Sequence, residues 1–505
     1  MIVQNLLYGL VNVLKISNLL TIALGTAIGL FVGAMPGLSA TMAIAILLPL
    51  TFGLHPATGI SMMAALYMGA MYGGSIAAIL LKTPGTPAAA ATTLDGYPMA
   101  QKGQAAKAFG ISLTASFIGG MISSIALLTV APLLGQIALN FGPVELFSVA
   151  VLGMTIIASL SRGSTIMGLL SGAVGLLLAM VGMDPITGTP RFTFGNIYLF
   201  SGIPFTVALI GLFSIPQAIR LIETIGNEGG KHKIDPIKER ILPTIQELKP
   251  LIVTIFRSSI IGVITGIIPG TGGDTACWFA YNEAKRFSKD KDKFGTGIPE
   301  GVAATEAANN AVVGGALIPT LTLGIPGSST TAVLIGGLMV HGIMPGPTLM
   351  TEYADVTYTL IWALLFATII MFFVGLIFTK ASIYVTMVSN RIIAPIIVVL
   401  CVIGSFAINN SFFDVLLMFG FGVVGYFMDK IKMPTAPMVI GLILGRMLDV
   451  SLNQSLIISH GSWSIFVKSP ISAVLLTLAL LSILQSTPLF TYIIKKIKNP
   501  KKIMS

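Results

Sequence analysis

The chain has 505 residues, of which 54% are apolar and only 10% charged, with 29 Lys and Arg against 19 Asp and Glu. Globular chains carry about 25% charged residues, so soluble enzymes and nucleic-acid binders are set aside. A mean hydropathy of +0.92 and room for about ten to twelve helices of roughly 20 residues point to an all-α polytopic membrane protein. The formal charge of +10 fits the basic loops that orient such proteins.

In chain order, the start MIVQNLLYGLVNVLK has no positive region ahead of its apolar run, unlike a cleaved signal peptide, and is read as an interfacial amphipathic segment. Residues 19–52 are too long for one simple pass and are broken near the middle, predicting a re-entrant hairpin with Lys15 on the non-cytoplasmic side. Residues 57–94 cross once with a break at Thr83 to Pro87, and apolar runs at 108–133, 144–160, 164–182 and 197–217 add four passes. Together these make a first repeat over 1–218, followed by a basic cytoplasmic linker over 219–250. A second repeat over 251–452 has a hairpin at 251–283, a broken crossing at 301–341 and passes at 357–379, 392–408, 411–428 and 434–452. Residues 453–505 supply a last helix near 470–494 and a basic cytoplasmic tail, giving eleven crossings.

The two-repeat division rests on a pattern of glycine and proline. Gly29, Gly33, Pro36 and Gly37 in GLFVGAMPG recur 233 residues later as Gly262, Gly266, Pro269 and Gly270 in GVITGIIPG. Gly73-Gly74 and Pro84-Gly85 recur 241 and 242 residues later as Gly314-Gly315 and Pro326-Gly327. Basic residues change loops between the halves: Lys285, Arg286, Lys289, Lys291 and Lys293 follow the first break of the second half, whereas Lys102 and Lys107 follow the second break of the first. Equivalent loops on opposite sides of the membrane are the signature of inverted repeats.

Such breaks leave N–H groups at half-helix N-termini that attract anions, and C=O groups at C-termini that attract cations. Hydroxyls stand at all four: Ser39 and Thr41; Thr83 and Thr86; Thr271 and Thr275 with Asp274; Ser328, Ser329, Thr330 and Thr331. The same hydroxyls also serve as helix caps. Glu306, Asn309 and Asn310 lie on one helix face, either ligating sodium or clamping two helices together. Lys82 either attracts a carboxylate or snorkels to the interface, and Arg191 lies in an outward loop where it could serve an external partner. Cys277 and Cys401 lie in apolar surroundings, the four histidines lack ligand spacing, and no nucleotide-binding loop or hydrolase motif is present.

VGAMPGLSATMAIAILLPLTFGL (32–54), YMGAMYGGSIAAILLKTPGTPAAAATTLDGYPMAQKG (67–103), GMDPITGTPRFTFG (182–195), IIGVITGIIPGTGGDTACWFAYNEAKR (260–286) and FGTGIPEGVAATEAANNAVVGGALIPTLTLGIPGSSTTAVLIGGLMVHGIMPGP (294–347) resemble the large membrane subunit of the tripartite tricarboxylate transporters. The resemblance implies a multi-pass carrier of the bacterial inner membrane that works with a small transmembrane subunit and a periplasmic solute-binding protein. It implies uptake of a citrate-like carboxylate driven by an ion gradient, sodium or proton, with no other cofactor and no enzymatic activity. A dimer of such complexes is left open. Lys82 departs from the family pattern, in which asparagine is common there, and this leaves the anion's identity open.

With the residues above, the resemblance implies substrate contacts from Pro36, Gly37, Leu38, Ser39, Thr83, Pro84, Gly85, Thr86, Pro269, Gly270, Thr271, Gly272, Pro326, Gly327, Ser328, Ser329 and Thr330. A sodium site is expected among Gly37, Ser39, Asp274, Asn309, Asn310, Gly327 and Thr331. The expected fold is of the elevator type, in which hairpins and broken crossings move as one body. A passive anion channel built on the same backbone dipoles is the alternative.

Overall fold

A computed structural model describes residues 2–35, 38–160, 165–184, 186–223, 240–385 and 390–485. Residues 224–239 of the linker, the tail beyond 485, and Pro36 and Gly37 lie outside these. The described chain is almost entirely helical. Its helices are α1 (Ile2–Val13), α2 (Ile16–Ala34), α3 (Ala40–Leu47), α4 (Pro56–Leu81), α5 (Thr93–Gln101), α6 (Ala105–Ala138), α7 (Pro143–Leu160), α8 (Thr165–Ala179) and α9 (Phe205–Glu223). After them come α10 (Ile245–Leu248), α11 (Ile252–Ile267), α12 (Gly272–Phe287), α13 (Pro299–Leu323), α14 (Ser329–Val340), α15 (Ala354–Val385), α16 (Asn390–Asn409), α17 (Phe412–Lys430), α18 (Thr435–Ile458), α19 (Ile465–Lys468) and α20 (Pro470–Gln485). A two-stranded antiparallel hairpin, β1 (Gly182–Met183) and β2 (Pro190–Arg191), interrupts the helices.

Among the described residues, eight helices are long and apolar enough to cross a membrane: α2, α4, α6, α9, α15, α16, α17 and α18. The pass expected at 301–341 falls on the more polar α13 and on α14, while those expected at 144–160, 164–182 and 470–494 fall on apolar helices that run up to or into residues outside the described ones. The pass expected from 197 begins instead at Phe205, because Asn196 caps a short 3-10 turn over Ile197–Leu199 and the chain then turns at Gly202.

The chain divides into two compact units, Met1–Leu139 with Thr206–Tyr426, and Asn140–Phe205 with Phe427–Ser505. Both helix–break–helix segments and both interrupted crossings therefore lie in the first unit. At its centre are α4 and α13, enclosed by protein over almost their whole length; α4 is apolar or small on every side, as expected of a helix without a polar face, whereas α13 also buries Glu306, Asn309 and Asn310. Helix α2 packs along α4 by backbone contact: a Cβ on Gly25, Gly29 or Gly33 would strike the carbonyl oxygens of Met62, Leu66 and Ala70. Helix α11 packs on α13 in the same way, Gly262 facing Ala308 O and Gly266 facing Val312 O. Glycine permits this approach because it lacks the atom that would collide.

These contacts correspond pair by pair. Gly29 with Leu66 matches Gly262 with Ala308, and Gly33 with Ala70 matches Gly266 with Val312. In each match the first members lie 233 residues apart and the second members 242. Leu30 O against Gly73 likewise matches Val263 O against Gly315. Around this centre, Met35, Leu38, Met42 and Ile46 form an apolar core with Val207, Ile210, Cys401 and Met418, which seats α3 against α9, α16 and α17. Helix α1 lies on α15, with Asn12 Nδ2 donating to Thr359 Oγ1 (2.8 Å) and Trp362 Nε1 to Leu6 O (2.9 Å).

In the second unit, α18 packs on α7 and α8, and Gly175 and Gly441 again allow backbone contact. Ser148 and Ser472 join α7 to α20 through their hydroxyls (2.6 Å). Arg191 pairs with both Asp184 and Asp449 of α18, the latter at 2.9 Å. The N–H groups of Ile186 and Thr187, with Arg191, hold the Asp184 carboxyl below its usual range. The external role suggested for Arg191 is thus replaced by an internal one.

Candidate functional site

All four breaks meet in the first unit. The break after α4 begins at Lys82, the left-handed C-cap (φ 58°). Gly85 N then donates back to Gly74 O at 3.1 Å, and Gly33 O occupies the place where a Gly85 side chain would stand. The first and second breaks therefore touch through backbone. The third and fourth do so too: Gly270 N donates to Gly327 O (3.0 Å), and a Cβ on Gly327 would lie 2.8 Å from Gly266 O.

Contacts also run between the halves. Thr41 Oγ1, at the start of α3, stands 2.8 Å from Thr330 Oγ1 and 3.2 Å from Ser329 Oγ, at the start of α14. Tyr67 OH of α4 stands 3.3 Å from Ser328 Oγ. On the other side, a Cβ on Gly273, in the first turn of α12, would lie 3.0 Å from the Cβ of Ala88 and 3.4 Å from Asn309 Oδ1. Gly272 (φ +59°) faces Ser328. The N-termini of α3, α12 and α14 and the turn Pro87–Ala90 thus gather at one place, a concentration of half-helix dipoles.

Several of the expected ligands are engaged in capping. Ser39 Oγ accepts from Met42 N (3.2 Å) and so starts α3. Ser328 and Thr331 form a reciprocal capping box, Thr331 N to Ser328 Oγ at 3.2 Å and Ser328 N to Thr331 Oγ1 at 2.9 Å. Thr271 Oγ1 donates to Thr265 O and Ile268 O, closing α11. Leu38, Gly85, Pro326 and Gly327 are buried, while Ser39, Pro84, Pro269, Gly270, Gly272, Asp274 and Ser329 are partly exposed. Lys82 and Thr83 are exposed, and the Lys82 ammonium lies over the Tyr97 ring, 5.7 Å from its centroid.

Asn309 and Asn310 act as the helix clamp, one of the two roles read for them from the sequence. Their amide nitrogens clamp α13 to α4, Asn309 Nδ2 donating to Met71 O (2.9 Å) and Asn310 Nδ2 to Met68 O (3.3 Å). Their oxygens, with the hydroxyl of Thr86, are buried without a hydrogen-bond partner among the described residues. A buried acceptor left unpaired is costly, and Asn309 Oδ1 points at the start of α12. Hard cations take such oxygens. No group of three or more His, Cys, Asp or Glu side chains suited to a transition metal occurs among the described residues.

Glu306 neighbours the Asn309 side chain but turns to a different set of groups. Its carboxyl is buried against Thr92 Oγ1 (2.5 Å) and Ser116 Oγ (3.2 Å). Sequence reasoning missed Asp95, which is fully buried. Its Oδ1 accepts the N–H groups of Gly295 (2.9 Å), Gly297 (2.8 Å) and Ile298 (2.9 Å), and its Oδ2 the Tyr281 hydroxyl (2.9 Å). It fastens α5 to α12 and to the start of α13. The signal was an acid in the otherwise uncharged stretch TTLDGYP.

A family model described as the tripartite tricarboxylate transporter TctA family matches residues 19–440. An Agrobacterium vitis protein, described as an uncharacterized 52.8 kDa protein in the TAR-I ttuC' 3' region, is 35% identical over 480 residues, covering 95% of each chain. A second from the same organism, described as an uncharacterized protein in the TAR-II ttuC' 3' region, is 34% identical over 223 residues, which are 44% of this chain and 92% of that one. No solved structure matches. With its family pattern running through both interrupted crossings and across nearly the whole chain, this protein belongs to the tripartite tricarboxylate transporter TctA family.

Proposed function

We propose that the chain is the large transmembrane subunit of a binding-protein-dependent secondary carrier that imports citrate-like carboxylates. A cation gradient drives it, with sodium the favoured ion and the proton the alternative. The observation that carries this reading is the gathering of half-helix N-termini and their hydroxyls at the breaks, beside the buried Asn309 and Asn310 oxygens that lack a partner among the described residues. The carboxylate binds among the breaks at Leu38–Thr41, Thr83–Thr86, Pro269–Gly272 and Pro326–Thr330. The cation binds beside it, with Asn309 Oδ1 as its best-placed ligand.

The matched contacts at offsets of 233 and 242 residues support two repeats of inverted topology. The glycine contacts binding α2 to α4 and α11 to α13 support movement of these elements as one elevator body. Bound cation offsets the anion's charge, and this difference in affinity between states couples the two fluxes.

The test is uptake of radiolabelled citrate into proteoliposomes containing this chain, the small membrane subunit and loaded binding protein, with and without an inward sodium gradient. Sodium-dependent accumulation is expected. Equilibration without accumulation under either a sodium or a proton gradient, and without need of binding protein, would instead identify a passive anion channel.

A further inference from the structure

The stretch from Thr189 to Phe200, in the second unit, holds large apolar side chains away from the protein. Phe194 is 90% exposed and Ile197 73%, and Phe192 and Tyr198 are also exposed. Both phenylalanines have left-handed backbone, φ 51° at Phe192 and 49° at Phe194. Bulky residues avoid that region, and it persists only where the surroundings impose it. Here β2 pairs with β1, and Arg191, next to Phe192, is held by both Asp184 and Asp449. The outward display of the two rings is thus built in.

Part of the backbone of the same segment is bonded within it. Asp184 N donates to Thr189 O (2.9 Å), Met183 N to Phe200 O (3.0 Å), Asn196 N to Thr193 O (2.8 Å) and Leu199 N to Asn196 O (3.1 Å). The Asn196 side chain accepts from Tyr198 N (3.0 Å). Between Val181 and Pro204 the only charged residues are Asp184 and Arg191, which neutralise one another. A protein-docking face keeps polar groups free to bond its partner. A segment at the edge of the hydrocarbon layer gains instead from bonding its backbone within itself and presenting aromatic rings.

We propose that this segment is an interfacial membrane anchor, with Phe192, Phe194, Ile197 and Tyr198 seated at the boundary between lipid headgroups and acyl chains. The segment lies between two apolar helices, α8 ending at Ala179 and α9 beginning at Phe205. The anchor is independent of the transport reading above and fails or stands separately from it.

The test uses the full chain in phosphatidylcholine vesicles, with Phe194→Cys carrying an environment-sensitive fluorophore. Cys277 and Cys401 are both buried, so the unsubstituted chain supplies the labelling blank. Ile245→Cys, in the exposed short helix α10, is the aqueous reference. With iodide supplied on both sides of the membrane, it is expected to quench the dye at position 194 about fivefold less than at 245, and phospholipid brominated near the top of its acyl chain to quench it strongly. Tyr198→Cys, which leaves both strained residues intact, is expected to behave alike and serves if the first variant fails to reconstitute. Adding Arg191→Gln is expected to raise iodide access at the labelled position. Full iodide quenching with none from the brominated lipid places the segment in water, as a protein-docking face would be, and overturns the proposal.

Discussion

The hydroxyl of Thr41, at the start of α3, lies 2.8 Å from the hydroxyl of Thr330, at the start of α14. These residues are 289 positions apart and belong to different halves of the chain, so the bond joins two half-helix N-termini directly. A carboxylate seated between those termini would take the place of this bond and bond the Thr41 hydroxyl itself. Thr41→Val removes one partner while keeping the shape, a loss of about 1 kcal/mol. It is expected to raise the KM for carboxylate uptake about fivefold while leaving the amount of folded protein unchanged, measured by initial rates in proteoliposomes.

Asn309→Leu tests the orphaned oxygen. The substitution removes the acceptor aimed at Gly273 together with the bond to Met71 O. Loss of one oxygen ligand is expected to raise the sodium concentration for half-maximal uptake about tenfold. Asn310→Leu removes the equivalent bond to Met68 O and the second orphaned oxygen, and is expected to change sodium dependence less, because only Asn309 Oδ1 faces the start of α12.

The glycine seams make a prediction about stability. In Gly266→Ala the new methyl meets Val312 O at 2.7 Å and Ala316 N at 2.8 Å, with backbone on both sides and nothing flexible to yield. Overpacking of this kind costs about 1–3 kcal/mol, read as a lowered unfolding temperature in detergent. Gly53 has open space around it, so Gly53→Ala is expected to change stability by less than about 0.5 kcal/mol.

Asp95 is expected to be structurally critical. Asp95→Asn places an amide N–H where Oδ2 now accepts the Tyr281 hydroxyl, and weakens the acceptor of three backbone N–H groups. A loss of about 2–4 kcal/mol follows from breaking a buried charge-assisted cluster. Tyr281→Phe removes one bond only and is expected to cost about 1 kcal/mol. Thermal unfolding of the two variants in parallel checks the order.

Outside the membrane helices, Glu247 has its pKa lowered to about 2 by the Thr244 N–H first, then by Lys107 and the Thr244 hydroxyl. A carboxyl depressed in the folded chain stabilises it above the unfolded value of about 4.3 and loses that contribution as pH falls. Hydrogen exchange of the α10 amides is therefore expected to differ between the unsubstituted chain and Glu247→Gln at neutral pH. The difference should shrink from about pH 4 and vanish near pH 2.

Much of this protein follows from its sequence alone. Apolar runs and scarce charge made it a helical membrane protein, because such sequence cannot be solvated in any other way. Proline and glycine located the interruptions, because proline removes a backbone donor and glycine tolerates the turn that follows. The repeated spacing of Gly29 and Gly33 with Gly262 and Gly266 marked residues that the fold then uses in matched backbone contacts.

Only tertiary structure decided which groups each side chain met. Hydropathy cannot say that Thr41 meets Thr330, that Thr331 is taken up by the cap of Ser328, or that Arg191 closes onto Asp449 rather than facing a partner. Nor does composition distinguish Asp95 from a loop acid, since its burial depends on three N–H groups some 200 residues away. Local sequence sets where the backbone can bend and what must leave water. Long-range packing sets which polar groups find partners and which, like Asn309 Oδ1, are left without one.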